Sequence, residues 1–309
     1  MTSMHTVPKN PLSNRNSMKL GICCVYFYGE VGDWLLPLQL QFIAQTLLDH
    51  TYTVYAAANR LAPDLRDVLS ITPNVTIVDL PISEDRASSE HAFYLDRLLQ
   101  FAYEDGCSHL ATLDSDSFPI TNDWPNQLLN KMGSHLRFSA VFRRENADTA
   151  LPHPCGYFMT RQFYEDHRPS LLPTPTIIQS PRFQEFLQAN GQRIDTGIGY
   201  GYALWRSREQ WLPLLRSNQY NPHFLMAGIY GDVFFHLGSA SRRPAFHLDY
   251  ATRRSLKLAE QLRQIPIAWR LSELITKKYL AENERVFQKV VTRLRQNPQR
   301  FLAEILKRT

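Results

Sequence analysis

Apolar and polar positions follow two different periods along the chain, and the changes of period mark its elements. Residues 20–28 (LGICCVYFY) are an almost unbroken apolar and aromatic run that stops at Gly29, the pattern of a buried strand entering a loop. Residues 35–48 then repeat at helical spacing, 51–57 read as a second strand, 61–69 as a helix and 75–80 as a third strand. A longer helix begins at Ser88, Ser89 or Glu90, carries Ala92, Leu95, Leu98, Leu99 and Ala102 on one face, and stops at Gly106. Residues 109–113 form a short strand that ends in the acidic turn Asp114-Ser115-Asp116. Strands alternating with helices predict parallel pairing in a doubly wound sheet.

Beyond the turn the signal thins. Residues 139–143 are a strand candidate, 161–167 a short helix, 169–175 a proline-rich connection, and 182–190 a helix capped by Gly191. Residues 228–236 end in a strand-like run at 233–236. From Ser255 onward the pattern is helical, with Val286, Val290 and Leu294 four apart, and likewise Phe301 with Ile305 and Leu302 with Leu306.

Composition adds limits. A chain of 309 residues, 44% hydrophobic and 20% charged, is ordinary globular material and can bury one large α/β core with a helical appendage. Residues 1–18 are polar, lack the apolar run of a secretory signal, and read as a flexible arm. No apolar run approaches the roughly 20 residues that span a bilayer. The four cysteines, Cys23, Cys24, Cys107 and Cys155, have no metal-ligand spacing, which suits buried thiols and a cytoplasmic setting, with peripheral contact to a membrane left open. The net charge of +5 is uneven: residues 251–309 hold 14 Lys and Arg against 5 Asp and Glu, so the body is mildly acidic and the tail basic. Such a tail could meet a membrane surface or a second copy of the chain, or be a solvated helical face. A nucleic-acid partner is not expected, because no basic motif is interleaved with aromatic residues.

The acidic turn is the strongest chemical signal. Two carboxylates one residue apart at a strand end can both face a hard cation, which prefers oxygen ligands and keeps positions for substrate phosphates. In an open α/β sheet the carboxyl ends of strands are also where ligands sit. The chain lacks a P-loop, and residues 29–32 (GEVG) have no lysine to cradle a triphosphate, which disfavours a nucleotidyltransferase.

Residues 109–119 (HLATLDSDSFP), with residues 91–95 (HAFYL) on the preceding helix, resemble the Asp-x-Asp region of GT-A glycosyltransferases. In layout the resemblance spans residues 19–250, followed by a basic helical extension at 251–309. It implies an α/β, Rossmann-like GT-A fold with a mostly parallel central sheet flanked by helices. It also implies Mn2+ or Mg2+, a nucleoside-diphosphate sugar donor, and a hydroxyl acceptor that could be a glycan, a lipid-linked sugar or a small molecule. Residues 231–242 (GDVFFHLGSASR) resemble the late histidine segment of these enzymes, so His236 joins Asp114 and Asp116 as a metal ligand, unless it only ends a strand. Ser241 and Arg242 then become diphosphate contacts, with Ser115 and His91 beside the donor. Tyr26, Asn59 and Arg60 are donor candidates by position at strand ends, although aromatic strand residues such as Tyr26 are more often core.

Residues 195–202 (DTGIGYGY) combine glycines that let backbone approach a ligand with aromatic faces that could stack on a sugar. The family implies an acidic general base in inverting members. Asp195 is the candidate and Asp232 the reserve, with turn capping as the alternative for Asp195. Residues 153–158 (HPCGYF) resemble the loop that lines the sugar or acceptor pocket, which nominates His153, Tyr157 and Tyr200 for the acceptor side. The competing reading is a non-catalytic GT-A-like binding or scaffold module.

Overall fold

A computed structural model describes residues 18–28, 32–84, 87–145, 151–191, 194–238 and 254–306. The expected amino-terminal arm lies outside them, as does the segment with Ser241 and Arg242. In chain order the elements are β1 (Lys19–Val25), α1 (Leu35–Thr46), β2 (Thr51–Ala57), α2 (Pro63–Ile71), β3 (Val75–Ile77), α3 (Ala87–Glu104), β4 (His109–Asp114) and β5 (Ser117–Pro119). Then come α4 (Trp124–Met132), β6 (Phe138–Phe142), β7 (Pro152–Thr160), α5 (Arg161–His167), α6 (Pro175–Ile178), α7 (Pro181–Asn190) and α8 (Ile198–Ser207). The chain continues through β8 (Leu212–Leu214), β9 (Gly228–Tyr230), β10 (Phe234–His236), α9 (Arg254–Arg263), α10 (Trp269–Gln296) and α11 (Pro298–Leu306).

The central sheet has seven strands in the order β3-β2-β1-β4-β7-β6-β8. β1 pairs parallel with β2 and β4, β2 with β3 and β6 with β8, while β7 runs antiparallel to β4 and β6. The alternation of periods predicts the parallel pairing, and the family resemblance implies the mostly parallel, Rossmann-like sheet flanked by helices that is found. Strand order reverses between β1 and β4, and there the register brings Val25 opposite both Ala57 and Asp114. The carboxyl ends of β1, β2 and β4 are thus level, and Asp114 lies at the switch point, where open α/β sheets take their ligands.

Side chains of β1 alternate between the faces, as a strand period of two requires. Cys23 and Val25 meet Leu95, Leu98, Leu99 and Ala102 of α3. Leu20 and Ile22 meet Ile43 of α1 and Trp124, Leu128 and Met132 of α4. A second sheet, β5-β10-β9, is antiparallel throughout. Phe118, Ile229, Phe235 and Leu237 from it share a core with Phe287, Val290 and Leu294 of α10, and with Phe301 and Ile305 of α11. The four-residue spacing read in the tail is therefore the face that packs on this sheet. Among the described residues, no helix is long and apolar enough to cross a membrane.

Two elements depart from the sequence reading. Residues 153–158 lie within β7 and are not a loop. The β6–β7 register shifts between Ala140, opposite Tyr157, and Val141, opposite His153, so Pro154 falls in the irregular stretch where a missing N–H costs no ladder bond. The glycine-rich residues 198–202 form the start of α8, preceded by Gly197 with φ of 101°. A Cβ on Gly199 would sit 1.8 Å from Ser170 O, so that glycine admits protein backbone and not a ligand.

Asp96 of α3 organises the loop that touches this glycine. Its carboxylate accepts from Leu171 N at 3.0 Å and from Ser170 Oγ at 2.7 Å. Burial, only partly offset by those bonds, pushes its pKa up to about 6. A raised folded-state pKa means that the contribution to stability is complete below the unfolded value near 4 and is lost as pH rises through 6. Asp96→Asn should remove this decline and gain about 1–2 kcal/mol over the native chain above pH 7. Urea unfolding at pH 5 and pH 8 checks it, and equal pH dependence in both proteins would contradict it.

Candidate metal centre and donor site

The acidic turn links β4 to β5, and its backbone is fixed from four sides. Gln39 of α1, fully buried, donates from Nε2 to Asp114 O at 2.8 Å and to Ser117 O at 2.6 Å. Tyr28 Oη donates to Ser115 O at 3.0 Å, and Leu237 N donates to Asp116 O at 3.0 Å. Ser117 Oγ donates to Cys155 O at 2.7 Å, tying the turn to β7. With its carbonyls engaged, the turn holds both carboxylates close together at the strand end.

β10 completes the set. His236 pairs with Ser117 in the antiparallel ladder, which brings its imidazole over the turn. His236 Nε2 lies 3.3 Å from Asp116 Oδ1 and 3.7 Å from Asp114 Oδ2, and His91 Nε2 on α3 lies 3.6 Å from Asp114 Oδ1. The ligand atoms of Asp114, Asp116 and His236 all fall within 4.8 Å of one another. Neighbouring ligands around an octahedral cation with bonds near 2.1 Å sit roughly 3 Å apart, so this spacing needs only a small contraction. Asp114 Oδ1 is buried without a hydrogen-bond donor among the described residues. An uncompensated carboxylate oxygen beside a second carboxylate and an imidazole fits a divalent cation.

The electrostatics agree. Burial raises the pKa of Asp114 and Asp116 adds to the rise, while His91, His236 and Arg143 pull the other way and do not cancel it. Burial opposes charge on His236, yet Cys155 and Asp116 outweigh it and leave its pKa well above the ordinary value. Burial also raises the Cys155 thiol and keeps it neutral, so Asp116 is the partner that supplies the attraction. A cation bound here would take the place of the proton that His236 holds beside Asp116.

A second grouping, Asp114 with His153 and Cys155, shares one carboxylate with the first. Arg143 argues against a cation there. Its Nη1 lies 3.5 Å from His153 Nε2, and Cys155 N donates to His153 Nδ1 at 3.3 Å, so both ring nitrogens face donors. Burial, with Arg143 adding to it, holds His153 well below its usual pKa, a neutral ring at the side of the site.

The other sequence candidates divide by burial and position. Ser115 belongs to the turn, its Oγ donating to Phe27 O at 3.3 Å. Asn59 Nδ2 donates to Leu80 O at 2.8 Å, and Arg60 Nε is 2.7 Å from Glu90, the residue before His91 on α3. Both lie just past β2, at the carboxyl edge of the sheet. Tyr26 is buried in a cluster with Leu36, Leu40 and Ala56, and offers no ring face to a nucleotide. Tyr157 donates to Pro152 O at 3.0 Å, and Tyr200 packs 4.8 Å from the Tyr157 ring and 5.7 Å from Phe138. Both tyrosines are fully buried, so the stacking surface expected of Tyr200 is spent on the core. Asp195 is exposed at the turn before α8, where Oδ1 accepts from Thr196 N at 2.7 Å. Gly197, two residues on, abuts Pro152 O and Tyr157 Oη, which keeps this turn near the amino end of β7. Asp232 occupies the β9–β10 turn with φ of 62°. Four residues at 3.3 Å each separate it from His236, about 13 Å along the hairpin, so it lies at the other end of β10 from the centre.

Sequence reasoning missed Gln39, Arg143 and Cys155 as site residues. Gln39 sits on a helix read only for its apolar face, Arg143 follows directly on β6, and Cys155 reaches the site through the unpredicted strand β7. Because Gln39 satisfies two carbonyls, Gln39→Ala should cost about 2–4 kcal/mol in urea unfolding and weaken Mn2+ binding. A loss below about 1 kcal/mol would show that the turn does not depend on it.

No family model and no curated protein matches the sequence. Among solved structures, the fold is similar to that of a nucleotide-diphospho-sugar transferase candidate from Desulfovibrio desulfuricans G20, at 12% identity and a TM-score of 0.38, covering 63% of this chain and 79% of that one. It is similar to a glycosyltransferase involved in glycosylation of the major capsid of PBCV-1, at 11% identity and a TM-score of 0.36, covering 63% and 80%. It is also similar to the galactosyltransferase LgtC in complex with donor and acceptor sugar analogs, at 10% identity and a TM-score of 0.39, covering 60% and 70%. Likeness this distant does not carry a function, and the chemistry rests on the site itself.

Proposed function

We propose that the chain is a metal-dependent glycosyltransferase of the GT-A type, moving a sugar from a nucleoside-diphosphate sugar to an acceptor hydroxyl. The observation that carries this reading is the convergence of Asp114, Asp116 and His236 within 4.8 Å at the carboxyl edge of the sheet. These three residues would hold Mn2+ or Mg2+, which would supply Lewis-acid neutralisation of the charge that grows on the leaving diphosphate. The rest falls to the chain's own groups. His91 lies 3.6 Å from the buried Oδ1 of Asp114, while Gln39, Tyr28 and Leu237 would keep the turn from yielding when a charged donor arrives. Arg60 and Asn59, past the end of β2, border the donor side of the site, and Ser241 and Arg242 follow His236 closely enough in sequence to reach a diphosphate.

For the acceptor, Asp195 is our candidate general base: an exposed carboxylate before α8 could take the proton of an attacking hydroxyl. His153 is our acceptor-side candidate, and to meet a sugar hydroxyl its ring would have to exchange the Arg143 contact for it.

The reading is tested with a panel of nucleoside-diphosphate sugars, following thermal shift and donor hydrolysis with and without Mn2+. One donor should stabilise the chain and be hydrolysed only with the metal. Asp116→Asn removes a ligand and a carboxylate repulsion together, so turnover should fall at least about a hundred-fold while the melting temperature holds or rises. Metal-dependent turnover that survives in Asp116→Asn would refute the assignment, and no turnover with any donor would favour a binding module.

A further inference from the structure

The described chain exposes fifteen large hydrophobic side chains, and six of them fall between Leu258 and Leu274. They are Leu258, Ile265, Ile267, Trp269, Leu271 and Leu274, with Ile267 94% and Leu274 64% exposed. Ile265 and Ile267 sit in the connection between α9 and α10, Trp269 opens α10, and Leu271 and Leu274 lie one turn apart on that helix. The second half of α10 behaves differently, since Phe287, Val290, Val291 and Leu294 are buried against the second sheet. One helix thus carries two apolar faces, of which the carboxyl-terminal one is covered and the amino-terminal one is bare. Exposed apolar side chains concentrated in so short a stretch mark a surface for interaction.

Charge identifies the partner. Arg254, Lys257, Arg263, Arg270, Lys277 and Lys278 are all exposed in the same stretch, against only Glu260 and Glu273 among the acids. Arg270 lies over the Trp269 ring at 5.5 Å, so the cation and the aromatic ring share one edge of the patch. Two copies of this face would bring like charges together, whereas an anionic lipid surface offers opposite charge to the rim and an apolar interior to the isoleucines and leucines. Tryptophan with a basic surround is also the composition of helices that lie in the headgroup layer. We propose that the α9–α10 corner is a docking surface for anionic phospholipid membranes, with Ile265, Ile267 and Leu274 entering the headgroup layer and the lysines and arginines on the lipid phosphates. The docking surface stands independently of the sugar-transfer reading.

The test is co-sedimentation of the full chain with vesicles of phosphatidylcholine alone and of phosphatidylcholine mixed with phosphatidylglycerol. Binding should require phosphatidylglycerol and weaken as salt rises. Lys277→Glu with Lys278→Glu, and separately Ile267→Ser with Leu274→Ser, should each reduce the bound fraction about ten-fold or more while melting curves stay unchanged. Equal binding to both vesicle types, or undiminished binding by both double variants, would overturn the proposal. So would a lipid-free dimer that dissolves with Ile267→Ser and Leu274→Ser while vesicles capture nothing, because the patch would then serve a second copy.

Discussion

Two carboxylates held a residue apart at the end of a buried strand repel each other, and the surrounding structure is arranged to withstand that repulsion. Asp114 and Asp116 stay together because the backbone between them is hydrogen-bonded to α1, to the segment after β1 and to the strand end that carries His236. Histidines on two further elements lie close to the carboxyl oxygens, His91 by Asp114 at 3.6 Å and His236 by Asp116 at 3.3 Å. A turn without those supports would relax toward solvent, where each acid could be hydrated. The energetic strain is the reason a divalent cation, once bound, would stabilise the site most.

The sheet explains why the pair sits where it does. β1 is flanked by β2 on one side and β4 on the other, so the connections leave in opposite directions and the switch point falls at the level carboxyl ends. The small antiparallel sheet then adds its own strand end to the same point, and α10 and α11 close the back of that sheet. The catalytic reading and the packing of the basic tail are therefore linked through β10, whose outward residue Phe235 joins the tail's core while its neighbour His236 faces the acids.

What could be read in the sequence was whatever has a strong local period or an unusual local composition. β1, β2, β4 and α3 announce themselves by apolar runs or helical repeats, and the acidic turn stands out because charge follows an apolar strand directly. β7 was hidden by Pro152, Pro154 and Gly156, whose local preference argues for a loop and is overridden by pairing with β4 and β6 on both sides. The glycines before Tyr202 were legible as sites of close approach, but not as to what approaches them, because Ser170 and Leu151 come from distant segments. Polar residues on the face of an apparently apolar helix, Gln39 above all, carry no local mark of the carbonyls they will meet across the fold.

The direct measure of the central claim is the number of Mn2+ ions bound per chain, followed by the loss of the free-ion electron paramagnetic resonance signal with a nucleoside diphosphate present. A single ion should bind the native chain, and His236→Ala should release it without unfolding the protein. Undiminished binding by His236→Ala and by Asp114→Ala alike would mean that the cation, if held at all, is held elsewhere.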